Sequence, residues 1–363
     1  MIEPAQQEVM LLEFKREAGI YQGLAATSAA LLERMLHDSG MQLHSITHRG
    51  KSIESLSDKL AKPEKEYRKL SEITDLAGVG VTTYFAEDVD RVAELIEREF
   101  LIDTANSIDK RQIIDPDRFG YQSLHYVVSV TPERCRLVEY SRFSELRLEI
   151  QVRSILQHAW AEIEHDLGYK SAAGVPRAIR RRFSRVSGLL ELADDEFSAI
   201  RRELDAYAET MPQDIRQQPE NVGIDIISLQ SLISSEGSSV RRLSKMVAQA
   251  SVSNLLPMKG ATLLDNMVVG LGFLNISSIA DLEKIADSHL PIVEKFAQHW
   301  MGGERHQVLH EGVGLLYLAY VLLAEQHEFS RIRSFVENFR LYGDSNELAN
   351  RILATYQMAV QPD

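Results

Sequence analysis

The sequence predicts an α+β domain, a mixed β-sheet flanked by helices, followed by an all-α C-terminal domain. Three observations carry this. The apolar residues follow a helical period at the start, switch to a period of two between about Ser45 and Lys170, and return to a helical period thereafter. From Gln6 to Asp38, Phe14, Tyr21, Leu24, Ala25, Leu31, Leu32 and Met35 recur at three-, four- and seven-residue steps, and Ser39-Gly40 stops the run. In the middle, GVGVTTYF (78–85), LHYVVSV (124–130) and LRLEIQV (146–152) alternate as strands do, and EDVDRVAELIEREF (87–100) reads as a helix. Helix resumes in SILQHAWAEIEHDL and runs on from Pro176 to about Tyr207. The stretch MPQDIRQQPENVG (211–223), with its two prolines and three glutamines, reads as a linker. The domains expected are therefore 1–210 and 224–363, the second made of short helices. In it, Ser278 followed by Asp281 marks a helix start, Gly312–Ala324 a buried helix, and Phe329, Phe335, Phe339 and Tyr342 a packed hairpin.

Composition narrows the function classes. At 363 residues, 44% hydrophobic and 26% charged, the chain has the makings of about two globular domains. Lysine and arginine number 40 against 53 acids, a net charge of −13, so the chain does not coat nucleic acid non-specifically. One cysteine, Cys135, allows neither an internal disulfide nor a thiolate metal cluster. The first residues carry acids and no signal-like apolar run, and Gly312–Ala324 is shorter than the ~20 residues of a membrane span. A cytoplasmic, membrane-free protein is expected.

Four segments of the mixed region carry chemistry. In RGKSIESLSDKL, Ser55 and Lys59 are four apart and share a helical face, with Arg49 and Lys51 at its entrance. That arrangement suits a polyphosphate, although a solvated charged face would use the same residues. Asp75 stands directly before a strand, where a carboxylate either holds hydrated Mg²⁺ against phosphate oxygens or caps a turn. In FGYQSLHYVV, the ring of Tyr121 follows a glycine at a loop-to-strand junction, placed to lie flat on a base, and His125 shares a strand face with Ser123. In LRLEIQVRS, period two sets Leu146, Leu148, Ile150 and Val152 on one face and Arg147, Glu149, Gln151 and Arg153 on the other. A wholly polar strand face lines a cleft or meets solvent. In a cleft, Glu149 would serve as a general base, a metal ligand or both.

Taken together and in this order, the segments resemble the RelA/SpoT (p)ppGpp synthetase domain, and its stand-alone members in particular. The match runs through RGKSIESLSDK, TDLAG, GYQSLHYVV and LEIQVRSILQHAWAEIEHDLGYK, over roughly Leu24 to Leu204. The resemblance implies a nucleotidyltransferase-like synthetase fold and transfer of the β,γ-diphosphate of ATP to the 3′-hydroxyl of GDP or GTP. It implies ATP phosphates on Lys51, Ser55 and Lys59, adenine on Arg49, and Mg²⁺ on Asp75 with help from Glu149. It likewise implies the acceptor base on Tyr121, acceptor phosphates near His125, and Glu149 as base beside Gln151 and Arg153. The paired HD signature of the family's hydrolase half is absent, so hydrolysis is not expected.

Two departures from the family pattern stand out. Where relatives read DLAGxR, with an arginine on the second face of adenine, this chain has Gly80. Loss of that contact costs about 1–2 kcal/mol, roughly tenfold or more in ATP affinity, unless another cation takes its place. Before Tyr121 the loop IIDPDRFGYQ is acidic, a poor setting for a free guanosine polyphosphate. That keeps a second acceptor open, the 3′ end of tRNA, as in toxin-type relatives. Arg177, Arg180, Arg181, Arg182 and Arg185 crowd one helix and suit an RNA stem, a regulatory nucleotide, acidic groups of the C-terminal domain, or solvent. A third reading is a nucleotide-sensing pseudo-synthetase, against which the retention of both Asp75 and Glu149 argues. His158, Glu162 and His165 share a helical face and read as structural or cleft-lining, and His306 with His310 lacks a third ligand. The C-terminal domain would serve as a partner-binding, autoinhibitory or dimerisation module, which leaves room for a homo-oligomer.

Overall fold

The structure, a computed structural model, describes residues 4–62, 67–109, 123–168, 176–258, 261–301, 308–339 and 343–361. It divides into two compact units, Met1–Arg201 and Arg202–Asp363.

The first unit opens with helix α1 (Pro4–Asp38), which buries Met10, Phe14, Tyr21, Leu24, Ala25, Ala29, Leu32 and Leu36 along one side. The helix stops where Gly40 takes a φ of 73°, a left-handed conformation that closes its last turn through Gly40 N–H to His37 O and Met41 N–H to Leu36 O. Strand β1 (Leu43–Gly50) and helix α2 (Ile53–Leu60) follow. Next come β2 (Ala77–Thr83), α3 (Glu87–Glu99), β3 (Phe100–Ile102), β4 (Ile108–Asp109) and β5 (Leu124–Val130). The unit continues through the one-turn helices α4 (Pro132–Cys135) and α5 (Val138–Ser141), then β6 (Leu148–Ser154), α6 (Ile155–Gly168) and α7 (Arg177–Gln217). The sheet is mixed, in the order β1-β2-β6-β5-β3 with β4 also on β5. Among the described strands of this sheet, β2 and β6 run parallel and the other pairings are antiparallel. One face is closed by α1 and α3: Val79, Val81, Leu148, Ile150 and Val152 pack with Leu24, Leu32, Val92 and Ile96 in one core. The other face is polar, and the candidate site lies there.

The second unit is helical: α8 (Ile226–Ser234), α9 (Ser239–Ala250), α10 (Ala261–Phe273), α11 (Ile279–Met301), α12 (Val313–Glu325), α13 (Phe329–Asn338) and α14 (Ser345–Val360). Helix α12 is the buried one expected from Gly312–Ala324, and Ser278 caps α11 by accepting from the Asp281 N–H. A short parallel pair, β7 (Asn254–Leu256) with β8 (Val308–His310), adds strands where none is legible in the sequence. Tyr342 lies outside the described residues. Among the described residues, no helix is long and apolar enough to cross a membrane.

The linker reading of 211–223 does not hold. Residues 211–217 complete α7 through Pro212, because Met211 and Ile215 join the apolar core of the second unit, as Val222 does further on. The boundary between units thus falls inside α7, ahead of the expected 210.

The N-terminus of α12 has an unusual cap. The Ser244 hydroxyl, on α9, accepts from the backbone N–H groups of both Gly312 and Gly314, each at 3.2 Å. This close approach leaves no room at Gly314, where a Cβ would stand 2.5 Å from Ser244 N and 2.6 Å from Leu243 Cβ. Gly314→Ala should destabilise the protein by about 1–3 kcal/mol in urea unfolding. Gly272→Ala, with nothing within 4 Å of its Cβ, should be neutral or slightly stabilising in the same measurement.

Candidate functional site

The site rests on an alternation that the sheet makes three-dimensional. In β6, Leu148, Ile150, Val152 and Ser154 are buried, while Glu149, Gln151 and Arg153 point to the other face. Register places Arg49, Gly78 and Glu149 in one row across β1, β2 and β6, and Thr47, Gly80, Gln151 and His125 in the next across β1, β2, β6 and β5. Because β2, between β1 and β6, has glycines in both of these rows, the longer side chains either side stand around a floor of bare backbone. The result is a cleft of about 540 Å³ lined by Arg49, Asp75, Gly80, Glu149, Arg153 and His158, among others.

Two charged clusters edge this floor. Asp75, in the turn before β2, takes Lys51 Nζ at 2.9 Å on one oxygen and Lys59 Nζ at 2.8 Å on the other. Lys51 is fixed by its own backbone, whose N–H donates to Leu76 O at 2.9 Å. Lys59 is delivered by α2, whose N-cap Ser52 accepts from Ser55 N–H and donates to Ser55 Oγ, both at 3.1 Å. Ser55 is thereby tied to the cap. Burial would raise the Asp75 carboxyl, but the hydrogen bond from Lys59 and the charge of Lys51 outweigh it and hold the group below the usual carboxylate range.

The second cluster is a relay on β5 and β6. Glu149 Oε1 lies 2.7 Å from His125 Nδ1, and His125 Nε2 lies 2.7 Å from Ser123 Oγ. Burial again pushes Glu149 upward, and His125, by hydrogen bond and charge, pulls it below its ordinary value. The Asp75 charge opposes this pull, while a hydrogen bond from Gln151 assists it. At the rim, Arg153 Nη2 approaches Glu162 Oε1 at 3.4 Å, and His158 Nδ1 lies 3.7 Å from the same oxygen. Burial first, then the Arg153 charge, hold His158 below its usual value, so it is neutral near pH 7.

The sequence-derived candidates divide accordingly. Arg49, Asp75, Glu149, Gln151 and Arg153 line one cleft, with His125 bonded to Glu149 and Lys51 and Lys59 bonded to Asp75. Ser55 is beside this group but does not line the cleft. Tyr121 and the acidic loop before it, with the side chains of Arg177 and His165 and the whole of His306, lie outside the described residues. Arg180, Arg181, Arg182 and Arg185 are exposed on α7 and do not line the cleft. Thr47 and His48 join the lining without having been expected, because β1 shows no clear alternation; His158 and Glu162 take the cleft-lining role that was one of their two readings.

Residues 48–174 match the profile of the region found in RelA / SpoT proteins. The chain carries a RelA/SpoT region. The GTP pyrophosphokinase YjbM of Bacillus subtilis (strain 168) is 28% identical over 170 residues, 46% of this chain and 76% of its own length. The GTP pyrophosphokinase YwaC of the same organism is 28% identical over 160 residues, 43% of this chain and 73% of its own. Among solved structures, small alarmone synthetase 1 from Bacillus subtilis aligns with 53% of this chain and 98% of its own at 25% identity, with a TM-score of 0.46. The RelA/SpoT region thus encloses both charged clusters.

Both cleft carboxylates ionise more readily folded than unfolded, so the stability they add is present above about pH 4 and lost as pH falls through their folded-state values. Urea titrations between about pH 6 and pH 3 should show stability falling on acidification, and falling less steeply in Glu149→Gln.

Proposed function

We propose that the protein is a Mg²⁺-dependent pyrophosphokinase that transfers the β,γ-diphosphate of ATP to the 3′-hydroxyl of GDP or GTP. One observation carries the reading: a carboxylate bonded to a histidine, Glu149–His125, faces a lysine-bracketed carboxylate, Lys51–Asp75–Lys59, around a floor of bare backbone. The pyrophosphokinase relatives and the RelA/SpoT match support it.

In this reading Lys51 and Lys59 exchange part of their hold on Asp75 for the donor's phosphates, and the guanidinium of Arg49 takes the adenine face. Glu149 accepts the proton of the acceptor hydroxyl as the new oxygen–Pβ bond forms, the bond from Pβ to the α-phosphate oxygen breaks, and AMP leaves. A carboxylate held below its ordinary range is ionised throughout the physiological range, so Glu149 orients the hydroxyl and keeps His125 in place on the acceptor side. Gln151 and Arg153 flank the acceptor, and Tyr121 stacks on its base.

The donor set fits Mg²⁺. Among the described residues no cluster of three or more His, Cys, Asp or Glu could cage a metal, whereas Asp75 and Glu149 offer two oxygen ligands beside the phosphate site. One or two carboxylates plus substrate phosphates is the usual way this ion is held. When bound, it neutralises charge that develops on the transferred diphosphate.

The Gly80 departure has a steric side. A Cβ there would stand 2.8 Å from Thr47 Oγ1. Of the three staggered rotamers of Thr47, only one puts a hydrogen rather than a heavy atom in that spot. Gly80→Arg combined with Thr47→Ala should therefore lower the KM for ATP about tenfold with kcat little changed, while Gly80→Arg alone should gain less.

The decisive assay incubates the protein with Mg²⁺ and γ-labelled ATP, offering GDP, GTP or deacylated tRNA, beside Glu149→Gln. Label is expected on a guanosine nucleotide, with the rate reduced about 10²- to 10⁴-fold in the variant. Label on tRNA alone would replace the small acceptor with the RNA 3′ end, and no label with residues 1–217 as well as with the full chain would leave a sensor.

A further inference from the structure

Helix α7 docks on the first unit through a polar side, with much of its apolar stripe, Val186 and Phe197 among it, turned outward. Two residues on that polar side grip the sheet. Asp194 Oδ2 accepts from the Ser154 hydroxyl at 2.6 Å. Arg201 reaches the buried Asp88 at 2.6 Å and lies over the Phe85 ring. Ser154 stands opposite Thr83 in the sheet register, so both grips fall where the parallel strands β2 and β6 end and their helices begin.

The Asp194 bond acts on a capping box. The Ser154 hydroxyl accepts from Gln157 N–H at 3.2 Å, and the Ser154 N–H donates to Gln157 Oε1 at 2.9 Å, which together close the first turn of α6. A hydroxyl that accepts from a helix N–H still has its own proton to place, and Asp194 takes it. The carboxylate also stands at the amino end of α6, where negative charge is favoured. This corner carries the cleft. Strand β6 brings Gln151 and Arg153 to it, and α6, which starts directly after Ser154, brings His158 and Glu162. Arg153 and Glu162 meet across the corner at 3.4 Å. The angle at which α6 leaves β6 therefore fixes how far His158 and Glu162 stand from the polar face of the strand.

Stability alone accounts poorly for Asp194. The residue is 4% exposed, and its Oδ1 has no hydrogen-bond partner among the described residues, nor has the buried Ser198 hydroxyl one turn further along α7. A buried carboxylate with one oxygen unmatched is costlier to hold than an apolar side chain of its size. We infer that Asp194 is a positioning residue, which through the Ser154–Gln157 box sets the angle between β6 and α6 and so holds His158 and Glu162 along the cleft. Its effect on diphosphate transfer rests on the function proposed above, whereas its effect on the shape of the cleft does not. Without the bond, α6 tilts away from β6, and a nucleotide loses the groups on α6 while Glu149 stays in place on the sheet. The loss then falls on KM more than on kcat.

The experiment compares Asp194→Ala, Asp194→Asn, Ser154→Ala and the double alanine variant in the full chain, with far-UV circular dichroism to confirm folding. Asp194→Ala should raise the KM for the acceptor nucleotide about tenfold and change kcat by less than about threefold. Ser154→Ala should match it, and the double variant should be no worse than either, because both changes remove the same bond. Asp194→Asn keeps an oxygen for Ser154 and should recover most of the loss. A second readout needs no activity: the titration of the His158 ring by NMR, with Arg153, Glu162 and His44 as its charged neighbours. His158 should titrate below its ordinary value of about 6.5 in the parent and in Asp194→Asn, and move up towards it in Asp194→Ala and Ser154→Ala as burial and the Arg153 charge recede. Independent, multiplying losses in the double variant would overturn the inference, as would a His158 titration that neither alanine moves. Should the parent transfer no diphosphate, the His158 titration decides alone; should Asp194→Ala not fold, Ser154→Ala carries both readouts.

Discussion

The cleft exists because, between β1 and β6, strand β2 puts two glycines on the polar face before its first side chain there, Thr82. Gly78 and Gly80 sit between β1 and β6, and everything else follows from that gap. Arg49 and Thr47 rise on one side and Glu149 and Gln151 on the other, held by a sheet whose opposite face is sealed by α1 and α3. The hydrophobic face sets the register, since a one-residue slip of β6 would bury Glu149 and Arg153 and expose Ile150 and Val152. Packing on one side of the sheet thus dictates chemistry on the other.

Within the cleft the charges are already compensated. Asp75 holds two lysines and Glu149 holds a histidine, so both half-buried carboxylates are paired. Two lysines on one aspartate leave that cluster with a net positive charge, and the ion pairs already restrict the freedom of both lysine side chains. The His125–Ser123 bond extends the order to the residue before β5, so the Glu149 carboxylate is held through a chain of three side chains.

Much of this was legible in the sequence, and the reasons for the rest are local. LEIQV declares its two faces because its apolar residues are β-branched or leucine at every second position. LHSITHRG, which forms β1, does not: its buried and exposed positions fail to alternate, since it is an edge strand half covered by α1. Thr47 and His48 were missed for that reason. The linker error came from composition, as Pro212 and the glutamines outweighed Met211 and Ile215, whose burial depends on helices far along the chain. β7 and β8 have three residues each, too few for a period to show, and they pair across some fifty residues of intervening sequence. The apolar stripe of α7 was readable, but which way it faced was not, because that depends on Ser154, Asp88 and Phe85 receiving the other side.

The contact between Gly80 and Thr47 also bears on how this sequence can change over evolutionary time. Any side chain introduced at position 80 first meets Thr47 Oγ1, 2.8 Å from where its Cβ would stand, so whether it fits depends on what occupies position 47. The two positions are epistatic. A lineage that acquired threonine at 47 while position 80 was glycine would have closed the direct return route, and recovery would run through a smaller residue at 47 before any cation at 80. A feature that looks like the loss of one contact is thus a constraint on the order of substitutions.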